Sequence, residues 1–366
     1  MLIKNAKVFT AEGVFKKCDL RFGAKIEELG TLPGEGLDAS GCYLVPGFVD
    51  IHSHGAMDRD FSDGGEGDLE ALSHYYASRG VTSFLATTMT LKEPELTSAM
   101  ARVRDFAHCG AAKCAGVNLE GPFLSLSKRG AQNPDNLHAP DAELFMRLFE
   151  ASGGRIKLVT VAPEEPGALD FIRRVSKLCT VSVGHSAADY DTALRAFESG
   201  ATHATHLFNG MPPLHHREPG VIGAAFDAGA TAELICDGLH LHPSAVRIAF
   251  ALFEGRAALI SDSLRCAGMP DGGYSLAGLP ITLSGGVARL GDGTLAGSAI
   301  SVLDGVKNAR RFGVPLETAI AAATLVPARA IGMADTLGAI LPARPADLLL
   351  LDEALNLQSV FIDGKK

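Results

Sequence analysis

Residues 156–208 read IKLVTVAPEEPGALDFIRRVSKLCTVSVGHSAADYDTALRAFESGATHATHLF. Three short apolar runs, IKLVTVAPE, TVSVGH and THATHLF, alternate here with two stretches of helical texture, ALDFIRRVSKL and YDTALRAFESG. Runs of this length suit buried strands, and the intervening segments suit amphipathic helices. The same alternation continues outward. Upstream lie FVDIH, TSFLATT and AGVNLE, and downstream AELICDG and AALISD, making eight runs in all. Helix candidates between them include LEALSHYYASRG, AELFMRLFEASGG and PSAVRIAFALFEG, several ending on Gly or starting near Pro or Asp as caps require. Alternating β and α elements imply a parallel sheet, and eight repeats over about 250 residues imply an α/β fold of the (β/α)8 TIM-barrel type.

The two chain ends differ from this middle. LIKNAKVF, GVFKKCDLRF and KIEEL near the start, with LPGEG as a break, alternate apolar and polar residues as antiparallel strands do. ADLLLLDEALNLQSVFIDGKK at the other end holds two more strand-like runs. Neither end can bury a core alone. Residues 1–46 and 337–366 are therefore expected to form one small β-sandwich domain, with residues 47–336 as the barrel. The Gly-rich stretch 268–298 reads as hairpins over the barrel mouth. Two helices, ISVLDGVKNARRFG and PLETAIAAATLVPARAIG, are expected after it.

The residues at the C-terminal ends of the runs point to chemistry. They are His52 and His54, Thr88, Glu120, Glu164, His185, His206, Asp237 and Asp262. Barrel enzymes build their active sites at that end, and core packing alone does not place imidazoles and carboxylates there. In a strand, residues i and i+2 share a side, so His52 and His54 can reach one ion together. Imidazole suits zinc, iron and related ions. A lone His-x-His pair is as readily two surface histidines. With Glu120, His185, His206 and Asp262 at matching ends, a metal site is the better reading.

Composition narrows the function class. The net charge of −9 opposes a general nucleic-acid surface, and any anionic substrate must find local basic groups. The seven cysteines are scattered without a Cys-x-x-Cys pair, which excludes a zinc ribbon and suits reduced thiols in the cytoplasm. The first residues lack the apolar core of a signal peptide, and no apolar run approaches the roughly 20 residues that span a bilayer. A cytoplasmic protein with neither nucleic-acid nor membrane partners is expected.

The order His-x-His, NLEGPF at 118–123, GHS at 184–186, ATHATHLFNGMPPLHHREPG at 201–220, DGLH at 237–240 and SDS at 261–263 resembles the N-acetylglucosamine-6-phosphate deacetylase family of the amidohydrolase superfamily. The likeness runs over nearly the whole chain, and NLEGPF and the 201–220 stretch are its specific motifs. The resemblance implies hydrolysis of the acetamide of a small amino-sugar phosphate, as in amino-sugar catabolism and cell-wall recycling. It implies a divalent transition metal, zinc or iron, on Glu120, His185 and His206, with Asp262 as catalytic acid/base. His52 and His54 can hold a second ion with Glu120 bridging, so one or two ions per chain are expected. Lys157, at the start of its run, stands at the wrong end to be the carboxylated lysine of other superfamily members.

For the substrate, the resemblance assigns Arg217 and His240 to the phosphate, with Arg217 reaching into a neighbouring subunit of a homodimer. On its own, Arg217 reads more readily as the surface ion-pair partner of Glu218. Asn209 and Gly210 can offer phosphate donors, and Ala296, Gly297 and Ser298 lie where the family contacts the acetyl group. Some relatives carry histidine where this chain has Gln132, whose amide can donate to the substrate carbonyl but cannot be protonated. His215, His216 and His242 are left as loop histidines and Cys266 as a bystander. Other readings are the galactosamine epimer as substrate, a cyclic-amidase or dihydroorotase-like enzyme, and a non-catalytic metal-binding homologue. The Glu120 bridge and the REPG and DGLH motifs oppose the second, and Asp262 beside a full ligand set opposes the third.

Overall fold

The eight apolar runs form one ring of parallel strands in the computed structural model, which describes residues 1–65 and 67–366. The barrel strands are β1 (Phe48–Ser53), β2 (Val81–Thr88), β3 (Lys113–Glu120), β4 (Ile156–Val161), β5 (Thr180–Val183), β6 (His203–Ala204), β7 (Thr231–Ile235) and β8 (Ala257–Ile260). Each pairs with its sequence neighbours. The ring closes between β1 and β8, where the Asp262 N–H donates to the His52 carbonyl at 2.8 Å and Ser53 bridges in parallel to Ser263. Every residue of β1 and β2 is buried, as expected of parallel strands covered on both faces.

The surrounding helices begin where local chemistry demands. Asp141 accepts from Glu143 N and Leu144 N to open Ala142–Ala151, and Asp189 accepts from Thr192 N to open Tyr190–Glu198. His242 finds its task here too, since its ring accepts from Ser244 N ahead of Pro243–Leu252. Neighbouring helices and the loop after β3 then pack together: Phe171 of Ala168–Val175 lies 4.8 Å from Phe123 and 5.9 Å from Phe145, ring centre to ring centre.

Two helices went unread in the sequence. Glu93–Asp105 is mostly polar, and Glu95 reaches back to the Lys92 N–H at 3.0 Å to fix its start. Gly220–Asp227 hides its helical character in Gly and Ala. The expected single helix over 315–332 breaks at Thr324 into Leu316–Ala323 and Leu325–Ala330. Pro327 has no N–H for the Ala323 carbonyl, and the Thr324 N–H shifts to the Ala321 carbonyl while its hydroxyl takes the Ile320 carbonyl.

Strands from both chain ends share one seven-stranded sheet. Its order is Leu357–Phe361, Leu348–Leu351, Tyr43–Pro46, Leu2–Phe9, Phe15–Phe22 and Ile26–Gly30, with Leu37–Asp38 alongside Leu2–Phe9. The run Leu348–Leu351 shows how it joins the barrel. Leu348 and Leu350 enter the sheet's own core with Ile3, Leu20, Phe22 and Phe361. Leu349 and Leu351 point the other way, into the barrel core. Lys113 of β3 adds a polar clasp, bonding Asp347 at 2.9 Å and Asp363 at 2.6 Å. The 268–298 stretch forms the expected meander, Gly272–Leu276, Leu279–Ser284 and Val287–Leu290. None of the helices among the described residues is long and apolar enough to cross a membrane.

Candidate active site

His52 and His54 continue the inward face of β1, and Glu120 is the last residue of β3. His185, His206 and Asp262 each come two residues beyond β5, β6 and β8. All three hold left-handed backbone, with φ of 46°, 25° and 49°. Non-glycine residues rarely adopt it, and such strain collects at functional sites. The sharp turn sends each side chain back over the barrel axis instead of outward along the strand.

There they meet. Glu120 Oε1 lies 3.1 Å from His185 Nε2, 3.1 Å from His206 Nε2 and 3.3 Å from His52 Nε2. Glu120 Oε2 lies 3.3 Å from His54 Nε2. Two buried groups thus share Glu120: one with His185 and His206, one with His52 and His54. Asp262 Oδ1 stands 3.3 Å from His54 Nε2 and 3.6 Å from His52 Nε2. The other ring nitrogens fix the tautomers. His185 Nδ1 contacts the Lys128 carbonyl at 2.8 Å and His206 Nδ1 the Asn209 carbonyl at 3.2 Å. A carbonyl only accepts, so both Nδ1 atoms carry the proton, and as neutral rings both present their Nε2 lone pairs to the centre. This arrangement of histidines anchored from behind typifies metal ligands.

The residues fit a divalent ion. Tetrahedral bonds of about 2.0–2.1 Å place ligand atoms about 3.3–3.4 Å apart, close to the spacings here. His52 Nε2 is buried without a hydrogen-bond partner among the described residues. The charge balance agrees. Burial alone would lower the His54 imidazole, yet the Asp262 and Glu120 carboxylates raise it to about 9. Burial alone would raise Asp262, and the neighbouring His52 and His54 hold it below the usual carboxylate range. Carboxylates converging in a dry centre call for positive charge, and a cation supplies it.

Around this centre the loops press close. Gly210, at φ 61°, carries no Cβ where one would stand 3.2 Å from His185 Nδ1. Gln132 is buried, its Oε1 accepting from the Thr90 N–H and its Nε2 donating to Glu120 Oε2, both at 2.7 Å. One amide hydrogen is thereby committed to orienting Glu120, a role the sequence did not suggest. The cavity over the centre is lined by Gln132, Asn209, Gly210, His240, Asp262 and Gly297, and roofed by Leu276, Thr294 and Leu295 of the meander. Asp237 anchors His240 Nδ1 at 2.7 Å.

Three expected site residues do not line this cavity of their own chain. Ala296 is buried beside the meander, its N–H bonding the Ala288 carbonyl, and the Ser298 hydroxyl is spent on the Ser261 carbonyl. Arg217 lies beside Glu218 on a second cleft with Tyr190, Asp191, Pro212 and Pro213, outside the cavity of its own chain. The structure also brings in residues that the sequence reading passed over. Asp50 accepts from Ser261 Oγ at 2.6 Å beneath the His-x-His pair, and burial raises its carboxyl to about 6. Its spacing from His52 and His54 was the available signal. Glu233 lies below His52, and burial would raise its carboxyl, but His52 and His203 hold it well below the usual range.

Residues 43–366 match the family model described as Amidohydrolase family, and the chain belongs to that family. Within it, relatives of this chain act on amino-sugar phosphates. The N-acetylglucosamine-6-phosphate deacetylase of Bacillus subtilis (strain 168) is 39% identical over 84% of this chain and 80% of its own. The N-acetylgalactosamine-6-phosphate deacetylase of Escherichia coli O157:H7 is 35% identical over 100% of this chain and 98% of its own. A mutant N-acetyl-D-glucosamine-6-phosphate deacetylase of Mycobacterium smegmatis, solved with N-acetyl-D-glucosamine-6-phosphate, superposes with a TM-score of 0.95 at 31% identity, covering 100% of this chain and 98% of that one.

Proposed function

We propose that the protein hydrolyses the acetamide of N-acetylglucosamine 6-phosphate to glucosamine 6-phosphate and acetate. The observation that carries this reading is the pair of ligand groups sharing Glu120, with Asp262 beside them, in a chain related throughout to deacetylases of this type. Glu120, His185 and His206 would hold one divalent ion, zinc or iron, and His52 and His54 with Glu120 a second. Such an ion lowers the pKa of water toward about 7 and polarises a carbonyl oxygen.

The chain's own residues do the rest. Asp262, ionised in the free site, takes the proton of the attacking water as the new C–O bond forms. It then passes that proton to the amine nitrogen as the C–N bond breaks, which a poor amine leaving group requires. Gln132 has a second amide hydrogen for the substrate carbonyl. Asn209, Gly210 and His240 offer donors at the far side of the cavity, with Gly297 at the acetyl end. Arg217, outside its own chain's cavity, is read as serving the phosphate of a neighbouring subunit in a homodimer, because an arginine fork matches phosphate geometry. Seven free thiols fit a cytoplasmic setting.

A second substrate reading has its own support, since the galactosamine-type relative spans the whole chain. Parallel kcat/KM measurements on the two epimeric 6-phosphates decide between them. We expect the gluco epimer to win, and a preference for the galacto epimer overturns that assignment.

A further inference from the structure

Glu233 sits in the middle of β7, fully buried, and is not among the metal-binding groups described above. Three donors converge on it. His52 Nδ1 lies 2.9 Å from Oε2, and the His206 backbone N–H donates to the same oxygen at 3.1 Å. His203 Nε2 lies 3.1 Å from Oε1. The Glu233 carbonyl also accepts from Leu207 N at 2.9 Å, so β7 grips the turn that carries His206. A carboxylate inside a barrel strand is costly unless fully satisfied. Here each oxygen has its partner, and two of the three donors belong to residues of the site.

The consequence falls on His52. An imidazole that donates from Nδ1 leaves its Nε2 lone pair free, and His52 Nε2 is aimed at Glu120 without a hydrogen-bond partner. With the proton on Nε2 instead, the same ring could not ligate. His185 and His206 take their tautomers from backbone carbonyls, which no substitution removes. His52, unlike these two, takes its tautomer from a side chain. We propose that Glu233 is a positioning residue that holds His52 as its Nδ1–H tautomer and thereby determines whether the chain binds an ion at His52, His54 and Glu120. This rests on the two-ion reading of the site. His203 completes the arrangement by occupying the second oxygen, so that the carboxylate cannot rotate away from His52.

The test is metal binding, not turnover. Wild type, Glu233→Gln and His52→Ala are stripped, reloaded with zinc, and titrated against a chromophoric chelator, with circular dichroism to follow the fold. Replacing a carboxylate behind a ligating histidine typically weakens metal affinity about 10–100-fold. We expect two ions on wild type, one on His52→Ala, and on Glu233→Gln a second ion weakened by about that factor with the first unchanged. Equal affinity for both ions in wild type and Glu233→Gln overturns the role of Glu233. A single ion on wild type, unaltered in His52→Ala, overturns the two-ion reading and this inference with it, and the wild-type count tells the two failures apart. Should Glu233→Gln not fold, long-range nitrogen–proton spectra of histidine-labelled wild type still decide. They should show His52 protonated at Nδ1, and protonation at Nε2 contradicts the proposal.

Discussion

The Nε2 atoms of His185 and His206 face each other at 3.0 Å, each 3.1 Å from Glu120 Oε1, inside a buried site. Both rings spend their Nδ1 protons on backbone carbonyls. Two lone pairs and a carboxylate oxygen pointed at one another repel unless a cation lies among them. The triangle is therefore best understood as three corners of a coordination shell. Removing one corner should remove the ion: His185→Ala is expected to retain its fold and lose the metal held with Glu120 and His206. Elemental analysis checks it, and unchanged metal content takes His185 out of the ligand set.

Asp262 Oδ1 stands 3.3 Å from His54 Nε2 and lines the cavity, where the proposed reaction needs a proton carrier. Asp262→Asn should keep its metal and its melting temperature while kcat falls about 10²–10⁴-fold, the usual weight of a positioned acid/base. Turnover near the wild-type value would assign the proton transfer to another group.

How much of this was legible beforehand followed from where the chemistry sits. His52, His54, Glu120, His185, His206 and Asp262 lie at strand ends, and position along an apolar run is visible in a sequence. The fold was legible for the same reason, because eight runs and their helices each bury a recognisable face. Glu233 was not, since a carboxylate inside AELIC reads as a solvated side of a strand until the ring closes around it. Gln132 was read as facing substrate, and only the path of its loop shows that it also holds Glu120. Ala296, Ser298 and Arg217 depend likewise on loop paths that residue type does not encode. The break at Thr324 is signalled in the sequence by Pro327 alone, within an alanine-rich pattern that otherwise favours one continuous helix.

Gln132→Leu tests the link between loop and centre. It leaves the Thr90 N–H unpaired in a buried place, at about 1–3 kcal/mol, and removes the donor that orients Glu120 Oε2. We expect a lower melting temperature and looser metal binding together. A loss of turnover alone, with metal affinity intact, would mean that Gln132 acts on substrate only.

Lys113 ties β3 to the terminal sheet through Asp347 and Asp363. Lys113→Met takes the ammonium from the buried Asp347 carboxylate and leaves it the Asp363 N–H, a cost of about 1–3 kcal/mol at most, tempered by the partial exposure of the lysine. Thermal denaturation should show it with catalysis little changed. An unaltered melting temperature would show the clasp to be dispensable.

Arg217 and Asp262 should complement each other across subunits if the arginine serves its neighbour. Arg217→Ala and Asp262→Asn chains, each weak alone, should regain activity on co-expression, because one site of the mixed dimer then has both groups. No recovery from mixed dimers that demonstrably form would confine Arg217 to its own chain.

Acetate release from N-acetylglucosamine 6-phosphate, followed before and after stripping the metal, bears most directly on the central claim. We expect the loaded protein to release acetate, the chelated protein to be silent, and added zinc or ferrous ion to restore the rate. Unphosphorylated N-acetylglucosamine should lag by orders of magnitude in kcat/KM. Folded, metal-loaded protein that releases no acetate, or stripped protein that turns over undiminished, would contradict it.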